Sequence, residues 1–240
     1  MLEIPHFRFE TPSEAYLATL QRLLRRPEYY CSPRGQFCWE LVDYYFNVAK
    51  PVSTPIVTHD RSRNKLIAKY HEAEKTLYLS GELRADVWAA NASKFWAELA
   101  NPDGTINSNY GFLALHNKSL PNNLTPWEWA VESLKKDPDS RQAYVRLSLP
   151  SHQWFGNKDQ VCTMHVNFLI RDGELRATTV IRSNDAVRGL VYDMPWFIFL
   201  QERMAAELGI GVGIYGHFAH SMHVYERDID KLKSMLGQGE

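Results

Sequence analysis

The sequence predicts one α+β domain spanning residues 1–240. Three observations carry that expectation. A chain of 240 residues with 45% hydrophobic and 12% aromatic content can bury a full core. Stretches with helical apolar spacing and capping signals are interspersed with aromatic, β-branched runs that read as strands. No internal repeat, low-complexity tract or linker divides the chain.

In order, Thr11-Pro12-Ser13-Glu14 is a capping box with proline at the first helical position, and the helix it starts should stop before Pro27. Pro33-Arg34-Gly35 reads as an exposed turn, with Arg34 by itself a solvated charge. Residues 37–57 read as strand, broken near Pro51 and Pro55. Residues 64–79 and 86–100 read as helices, the second carrying Trp88, Phe95, Trp96 and Leu99. The segment INSNYGFLAL is expected to lead into an apolar strand, with Tyr110 either a core aromatic or a site hydroxyl. Thr125-Pro126-Trp127-Glu128 repeats the capping pattern, and AYVRLSLP alternates as a strand does. Two strands then flank the hairpin turn Asp172-Gly173 within residues 160–193. A helix follows over 194–208, and HFAHSMHVYERD is expected to end the folded part. Gly211-x-Gly213-x-x-Gly216 matches a dinucleotide fingerprint in letters only, because it follows a helix and leads into a strand.

Charge and cysteine content exclude several function classes. A net charge of -1 gives no long-range attraction to a nucleic-acid polymer or an anionic membrane, although a local arginine cluster can hold one small phosphate. Cys31, Cys38 and Cys162 are too few and too widely spaced for a disulfide framework, and Cys31 and Cys38 are read as packing residues. HEAE at 71–74 is not a zinc motif, since position 75 is Lys, and no metal is expected. The start MLEIPHFRFE lacks the apolar core of a signal peptide, and the longest apolar run, 194–200, is too short to span a bilayer. A soluble, cytoplasmic protein is expected.

The chemistry concentrates in residues 160–193. Pairing about Asp172-Gly173 puts position 162 opposite roughly 183, so Cys162, Arg182 and Ser183 are neighbours. An adjacent guanidinium can lower a thiol pKa, whereas a Cys in a strand is otherwise a small buried hydrophobe. Arg182 alternates with Val180 and Thr178 and so can point inward, where it needs an anion. That anion is either Asp185 or a ligand phosphate held together with the Ser183 hydroxyl.

These residues resemble the thymidylate synthase superfamily, most closely its deoxycytidylate (dCMP) hydroxymethylase branch of T-even phages. The matching stretches are Gly104–Gly111, Asp137–Arg141, Cys162 with Asn167 and FLIRDGEL, Arg182-Ser-Asn-Asp185 with Gly189, and His223-Val-Tyr225, spanning roughly residues 70–228 in the family's order. The resemblance implies a large mixed β-sheet with helices packed on one side, and sheets pairing in a homodimer. It implies that Cys162 attacks ring carbon 6 of a pyrimidine nucleotide, and that Arg182 and Ser183 bind the 5′-phosphate. Arg141 would reach the partner's phosphate site, with Gln142 standing where synthases usually carry a second arginine. Arg34 would be a mobile phosphate ligand, although its local match is poor. His223 and Tyr225 would hold the sugar 3′-hydroxyl, and Asn167 would face the base. Glu74 would manage protons and a water, with Glu72 the rival two residues away. Trp96, Tyr110, Asp185 and Gly189 would line the site of 5,10-methylenetetrahydrofolate.

Asp193 stands where synthases that act on uracil carry Asn. A carboxylate accepts from the cytosine amino group and, carrying or sharing a proton, also serves the ring nitrogen beside it. With the resemblance the sequence favours dCMP over dUMP, while position alone favours Asp193 as the cap of the following helix. Cys162 and Asn167 are five apart, so a β-bulge between them is required if both are to face the base. The expected reaction is one-carbon transfer to carbon 5 of dCMP. Water gives 5-hydroxymethyl-dCMP and hydride gives 5-methyl-dCMP; the end sequence LGQGE, unlike a synthase tail, favours water. CMP or dUMP as substrate, and a catalytically idle nucleotide-binding homologue, are the alternatives.

Overall fold

The computed structural model describes residues 7–238. Its centre is one mixed sheet of eight strands: β1 (Phe7–Phe9), β2 (Tyr29–Cys31), β3 (Cys38–Val48), β4 (Tyr144–Arg146), β5 (Thr163–Arg171), β6 (Glu174–Ile181), β7 (Asn184–Asp185) and β8 (Gly211–Tyr225). The spatial order is β1-β3-β8-β6-β5-β4, with β2 added to β3 and β7 to β8. The pairs β1–β3, β6–β8 and β7–β8 are parallel and the others antiparallel. This is the α+β architecture with a large mixed sheet that the sequence implied.

Two helices form much of the cover. Helix α1 (Pro12–Arg25) packs on β3, with Ala15, Tyr16, Leu20 and Leu23 fully buried. Helix α6 (Leu190–Leu208) lies across β6 and β8 and buries Phe197, Leu200 and Met204 completely. Each such side chain contributes about 2 kcal/mol by leaving water.

The helix ends follow local chemistry. Thr11 caps α1 by accepting from the Glu14 N–H at 3.2 Å. Helix α2 (Arg61–Ser80) is capped by Asp60, whose Oδ1 accepts from the Arg63 N–H at 2.9 Å, and it stops at Gly81 in the left-handed region (φ 70°). Two short helices follow, α3 (Ala85–Asn91) and α4 (Phe95–Glu98). Helix α5 (Pro126–Lys136) has the reciprocal box: Thr125 Oγ1 accepts from the Glu128 N–H, and Glu128 Oε2 accepts from the Thr125 N–H.

Five expectations change. The helix expected over 86–100 is broken into α3 and α4, because Asn91 Nδ2 donates back to the Val87 carbonyl and Ser93 Oγ accepts from the Phe95 N–H, supplying local bonds that compete with a continuous helix. The strand expected in INSNYGFLAL is a helical turn running into a π-helical segment, Phe112–His116. Asn109 Oδ1 caps it by accepting from the Phe112 N–H at 2.7 Å. Gly111 is required there, since a Cβ would lie 1.9 Å from the Tyr78 carbonyl oxygen. The strand expected over 37–57 ends at Val48, before Pro51. Helix α6 begins four residues earlier than expected, with Gly189 as its cap residue, so Asp193 lies within the first turn and is not the cap. The folded part does not end at the ERD segment; helix α7 (Ile229–Met235) follows and buries Ile229, Leu232 and Met235. Cys31 and Cys38 do pack, Cys38 being buried, and they also face each other across β2 and β3 with sulfurs 3.3 Å apart. No helix among the described residues is long and apolar enough to cross a membrane.

Candidate active site

The β5–β6 hairpin sets the Cys162 thiol beside a cation. Asp172 and Gly173 both take positive φ (54° and 77°), the geometry of a two-residue turn whose twist matches the strands it joins. Strand pairing then brings Cys162 to Arg182, whose backbone N–H donates to the Cys162 carbonyl at 2.9 Å. The register shifts between Thr163 and His165, so the β-bulge anticipated between Cys162 and Asn167 is present.

Arg182 is half-buried, and its guanidinium braces the loop that carries the thiol. Nη2 donates to the Gln160 carbonyl at 2.6 Å and approaches Cys162 Sγ at 3.6 Å, while Nε donates to the Val161 carbonyl at 3.2 Å. The Nη1 edge carries two more donors for an anion. Burial pushes the Cys162 thiol above its ordinary pKa; Arg182 opposes this, Asp193 and Asp159 add to it, and Arg34 opposes it again. Arg34 is exposed at the tip of the turn Pro33–Gly35, with φ 54°. Its field reaches the thiol from a segment far away in sequence.

Two carboxyl groups lie within reach of each other's charge, one of them also within reach of the thiol. Glu74 is buried on α2, where the Tyr70 hydroxyl donates to Oε1 at 3.2 Å and the Trp96 Nε1–H in turn donates to Tyr70 at 3.0 Å. Burial, and then the charge of Asp193, push the Glu74 carboxyl up to about 8, so it holds a proton at neutral pH. Glu72 is exposed on the other side of the helix. Asp193, half-buried in the first turn of α6, accepts from Asn184 Nδ2 at 2.7 Å. Burial raises it to about 6, with the Asn184 bond opposing and Asp185 adding. Tyr110 packs against Tyr78 and Phe197, with ring centroids 5.6 and 5.4 Å away, and burial and then the charges of Asp193 and Cys162 lift its phenol well above 10.

The β7–β8 pairing supplies the next wall. Asp185 stands opposite His223, which is buried, and the Ala186 N–H donates to the His223 carbonyl at 2.8 Å. Asp185 Oδ1 accepts from the N–H groups of Val187 and Arg188 at 2.8 and 3.0 Å, which fixes the carboxylate direction. The Tyr225 ring lies edge-on to His223 at 5.2 Å, with the Arg227 guanidinium 4.5 Å from its centroid. Ser183 follows Arg182, half-buried.

Cys162, Arg182, Glu74, Asp193 and Tyr110 thus form one electrostatically coupled group, with Arg34 and Asp185 within reach of its charges. Arg141 is exposed in the loop before β4. Asn167 sits in mid-strand opposite Tyr144 and Thr178, on the face away from the core residues Val166 and Phe168. Gly189 has a packing reason to be glycine: a Cβ there would lie 2.9 Å from Asn184 Nδ2 and 3.1 Å from Asp193 Oδ2. Sequence reading missed Tyr70, the hydroxyl on Glu74, and Asn184, the amide on Asp193. The first carried a signal, because Tyr70 and Glu74 are four apart on one helix face. The second depends on β7 lying against the start of α6, which no local spacing reveals. Among the described residues no group of three or more His, Cys, Asp or Glu is placed to hold a metal ion.

The family model of thymidylate synthase matches residues 14–240. The chain is 31% identical over 183 residues to the deoxycytidylate 5-hydroxymethyltransferase of Enterobacteria phage T2, covering 72% of this chain and 73% of that protein. It is 31% identical over 170 residues to the enzyme of the same description from Enterobacteria phage T4, covering 66% and 68%. It is also 28% identical over 232 residues to the deoxyuridylate hydroxymethyltransferase of Bacillus phage SP01, covering 92% of this chain and 59% of that one. With a match over nearly its whole length, and with a thiol and an arginine at the open end of the β5–β6 hairpin and carboxyl groups brought near by α2 and α6, the chain belongs to the thymidylate synthase family.

Proposed function

We propose that the protein transfers a one-carbon unit to carbon 5 of dCMP and releases 5-hydroxymethyl-dCMP through a covalent Cys162 adduct. The observation that carries this reading is Asp193, a carboxyl group rather than an amide, placed in the field of both Cys162 and Glu74. Similarity to two phage deoxycytidylate 5-hydroxymethyltransferases supports it.

Arg182, Ser183 and Arg34 offer donors for the 5′-phosphate, and His223 and Tyr225 offer groups for the sugar hydroxyl. Burial holds the thiol above its ordinary pKa and Arg182, 3.6 Å from the sulfur, opposes this, so Arg182 is the group that stabilises the attacking thiolate. The sulfur adds to ring carbon 6, which makes carbon 5 a nucleophile. Asp193 accepts from the cytosine amino group and shares a proton with ring nitrogen 3, so negative charge that develops there is stabilised. Carbon 5 would bond to the one-carbon unit and give up its hydrogen as a proton, with tetrahydrofolate the group released; Glu74, protonated at neutral pH and held by Tyr70, delivers or receives a proton and orients the water that adds to the new exocyclic carbon. Loss of the sulfur from carbon 6 then frees the product.

The residues present fit a reduced folate. A pterin amino edge calls for a fixed carboxylate, which Asp185 offers, and a ring calls for aromatic surface, which Tyr70 and Tyr192 offer with rings 4.4 Å apart, Trp96 being buried behind Tyr70 and donating to its hydroxyl. 5,10-Methylenetetrahydrofolate supplies the one-carbon unit when bound. Arg141, exposed near the sheet edge, would serve the phosphate site of a second copy in a homodimer.

The test is incubation with 5-tritiated dCMP and methylenetetrahydrofolate, followed by mass spectrometry of the product. Tritium release by the wild type, lost in Cys162→Ala, is expected, with a product 30 mass units above dCMP. No release from the wild type sinks the reading, and a methyl product redirects it to a methyltransferase.

A further inference from the structure

Asp193 does not stand alone. Its Oδ2 accepts from Asn184 Nδ2 at 2.7 Å, and Asn184 Oδ1 lies 2.9 Å from His217 Nε2. His217 Nδ1 lies 3.0 Å from the Tyr215 hydroxyl, which lies 3.0 Å from the Thr179 hydroxyl. Asn184, His217, Tyr215 and Thr179 are all buried, so none of these bonds can be exchanged for water. They form a chain that starts at Thr179 on β6, crosses to β8 and ends on the base-reading carboxyl.

The proposed function leaves a gap that this chain fills. A protonated carboxyl group offers one donor and one acceptor, and two patterns result according to which oxygen carries the proton. One pattern matches cytosine, whose amino group donates while its ring nitrogen accepts. The other matches uracil, whose ring N–H donates while its carbonyl accepts. Asp193 therefore separates the two bases only if the proton is confined to one oxygen. The amide N–H of Asn184 keeps Oδ2 an acceptor, so a proton on Asp193 resides on Oδ1. A 180° flip of the Asn184 amide would put its carbonyl against Oδ2 and reverse the pattern.

We propose that Asn184, held in one amide orientation by His217, is the positioning residue that makes Asp193 discriminate cytosine from uracil. The inference rests on the reading of dCMP as substrate. His217 is fully buried and neutral, burial lowering its pKa to about 3, so it has a single ring N–H. With that hydrogen on Nε2 it donates to the Asn184 carbonyl. The ring is also stacked on Phe46, with centroids 5.2 Å apart and planes 13° apart, which prevents it from turning. The Asn184 amide is thereby fixed from behind. Gly189 leaves the space for it in front, as a Cβ there would meet both Asn184 Nδ2 and Asp193 Oδ2.

The experiment measures kcat/KM for dCMP and for dUMP in wild type, Asn184→Leu, His217→Phe and His217→Gln, alongside thermal melting. The Phe variant keeps the stack on Phe46 and loses the N–H; the Gln variant keeps an N–H donor. The dCMP-to-dUMP ratio should fall by at least about tenfold in Asn184→Leu and His217→Phe, and be restored toward wild type in His217→Gln. A merely structural role would lower both substrates alike and leave the ratio unchanged. An unchanged ratio in a folded Asn184→Leu or His217→Phe protein overturns this inference alone. A wild type with no preference for dCMP overturns the substrate reading and this inference with it.

Discussion

Glu74→Gln should stabilise the protein by an amount that grows with pH. In the unfolded chain this carboxyl titrates near its ordinary 4.5, and in the folded chain burial and Asp193 raise it to about 8. Below about pH 4.5 both states are protonated and the group costs nothing. From there to pH 8 the unfolded state releases a proton that the folded state retains, so folding stability falls as pH rises and the loss levels off above about 8. Integrated over the two titrations, the loss is about 1 kcal/mol at pH 5 and about 4 kcal/mol at pH 8. Glutamine has the same shape, can still accept from the Tyr70 hydroxyl, and does not titrate. The variant should thus gain about 1 kcal/mol over wild type at pH 5 and about 4 kcal/mol at pH 8, while losing turnover. Urea denaturation of both proteins at the two pH values reads this directly, because other groups cancel in the difference. An equal gain at both pH values would show that Glu74 is not held protonated by its surroundings, and would remove it as the proton manager.

Three further outcomes are expected. Asp193→Asn should reverse base preference toward dUMP, with a change in the kcat/KM ratio of about 100-fold or more; retained dCMP selectivity would refute the base-reading role. Arg182→Leu removes the cation that holds the Cys162 thiol down, so iodoacetamide should alkylate Cys162 about tenfold more slowly at pH 8, and an unchanged rate by mass spectrometry would separate the two residues. Gly111→Ala forces a methyl group against the Tyr78 carbonyl and should cost about 3 kcal/mol, seen as a large drop in Tm; an unchanged Tm would show that this approach is not tight.

The parts of the site that could be read in the sequence are those written in short range. Asp172-Gly173 specifies a tight turn by its backbone preferences alone, and the turn fixes the register that brings Cys162 to Arg182. The five-residue interval from Cys162 to Asn167 called for a bulge by face counting, and the register shift lies between them. The caps at Thr11 and Thr125 were legible because a hydroxyl three residues before a glutamate satisfies backbone donors locally. Where reading failed, a distant contact outweighed a local preference. The apolar run after Gly111 suited a strand, but Asn109 caps a helical turn there and Tyr78 packs against it. Asp193 before Met194-Pro195 suited a cap, but α6 starts at Leu190, and its first turn delivers the carboxyl inward.

By itself, the sequence determined the α+β class, the hairpin and the pairing of a thiol with an arginine, because periodicity, turn chemistry and strand register act between near neighbours; the mixed sheet came from the family resemblance. It also supplied Asp193 in place of an amide. Only the tertiary structure decided which of Glu72 and Glu74 lies within reach of the charge of Asp193, by burying one and exposing the other. Only it set Asn184 and His217 behind Asp193, because that chain needs β7 on β8, the absent side chain of Gly189, and the first turn of α6 to meet at one point. A pKa, a tautomer or an amide orientation is fixed by what surrounds a group in space. That is the reason Cys162, Arg182 and Asp193 were legible in the chain while their protonation, and the partners that direct them, were not.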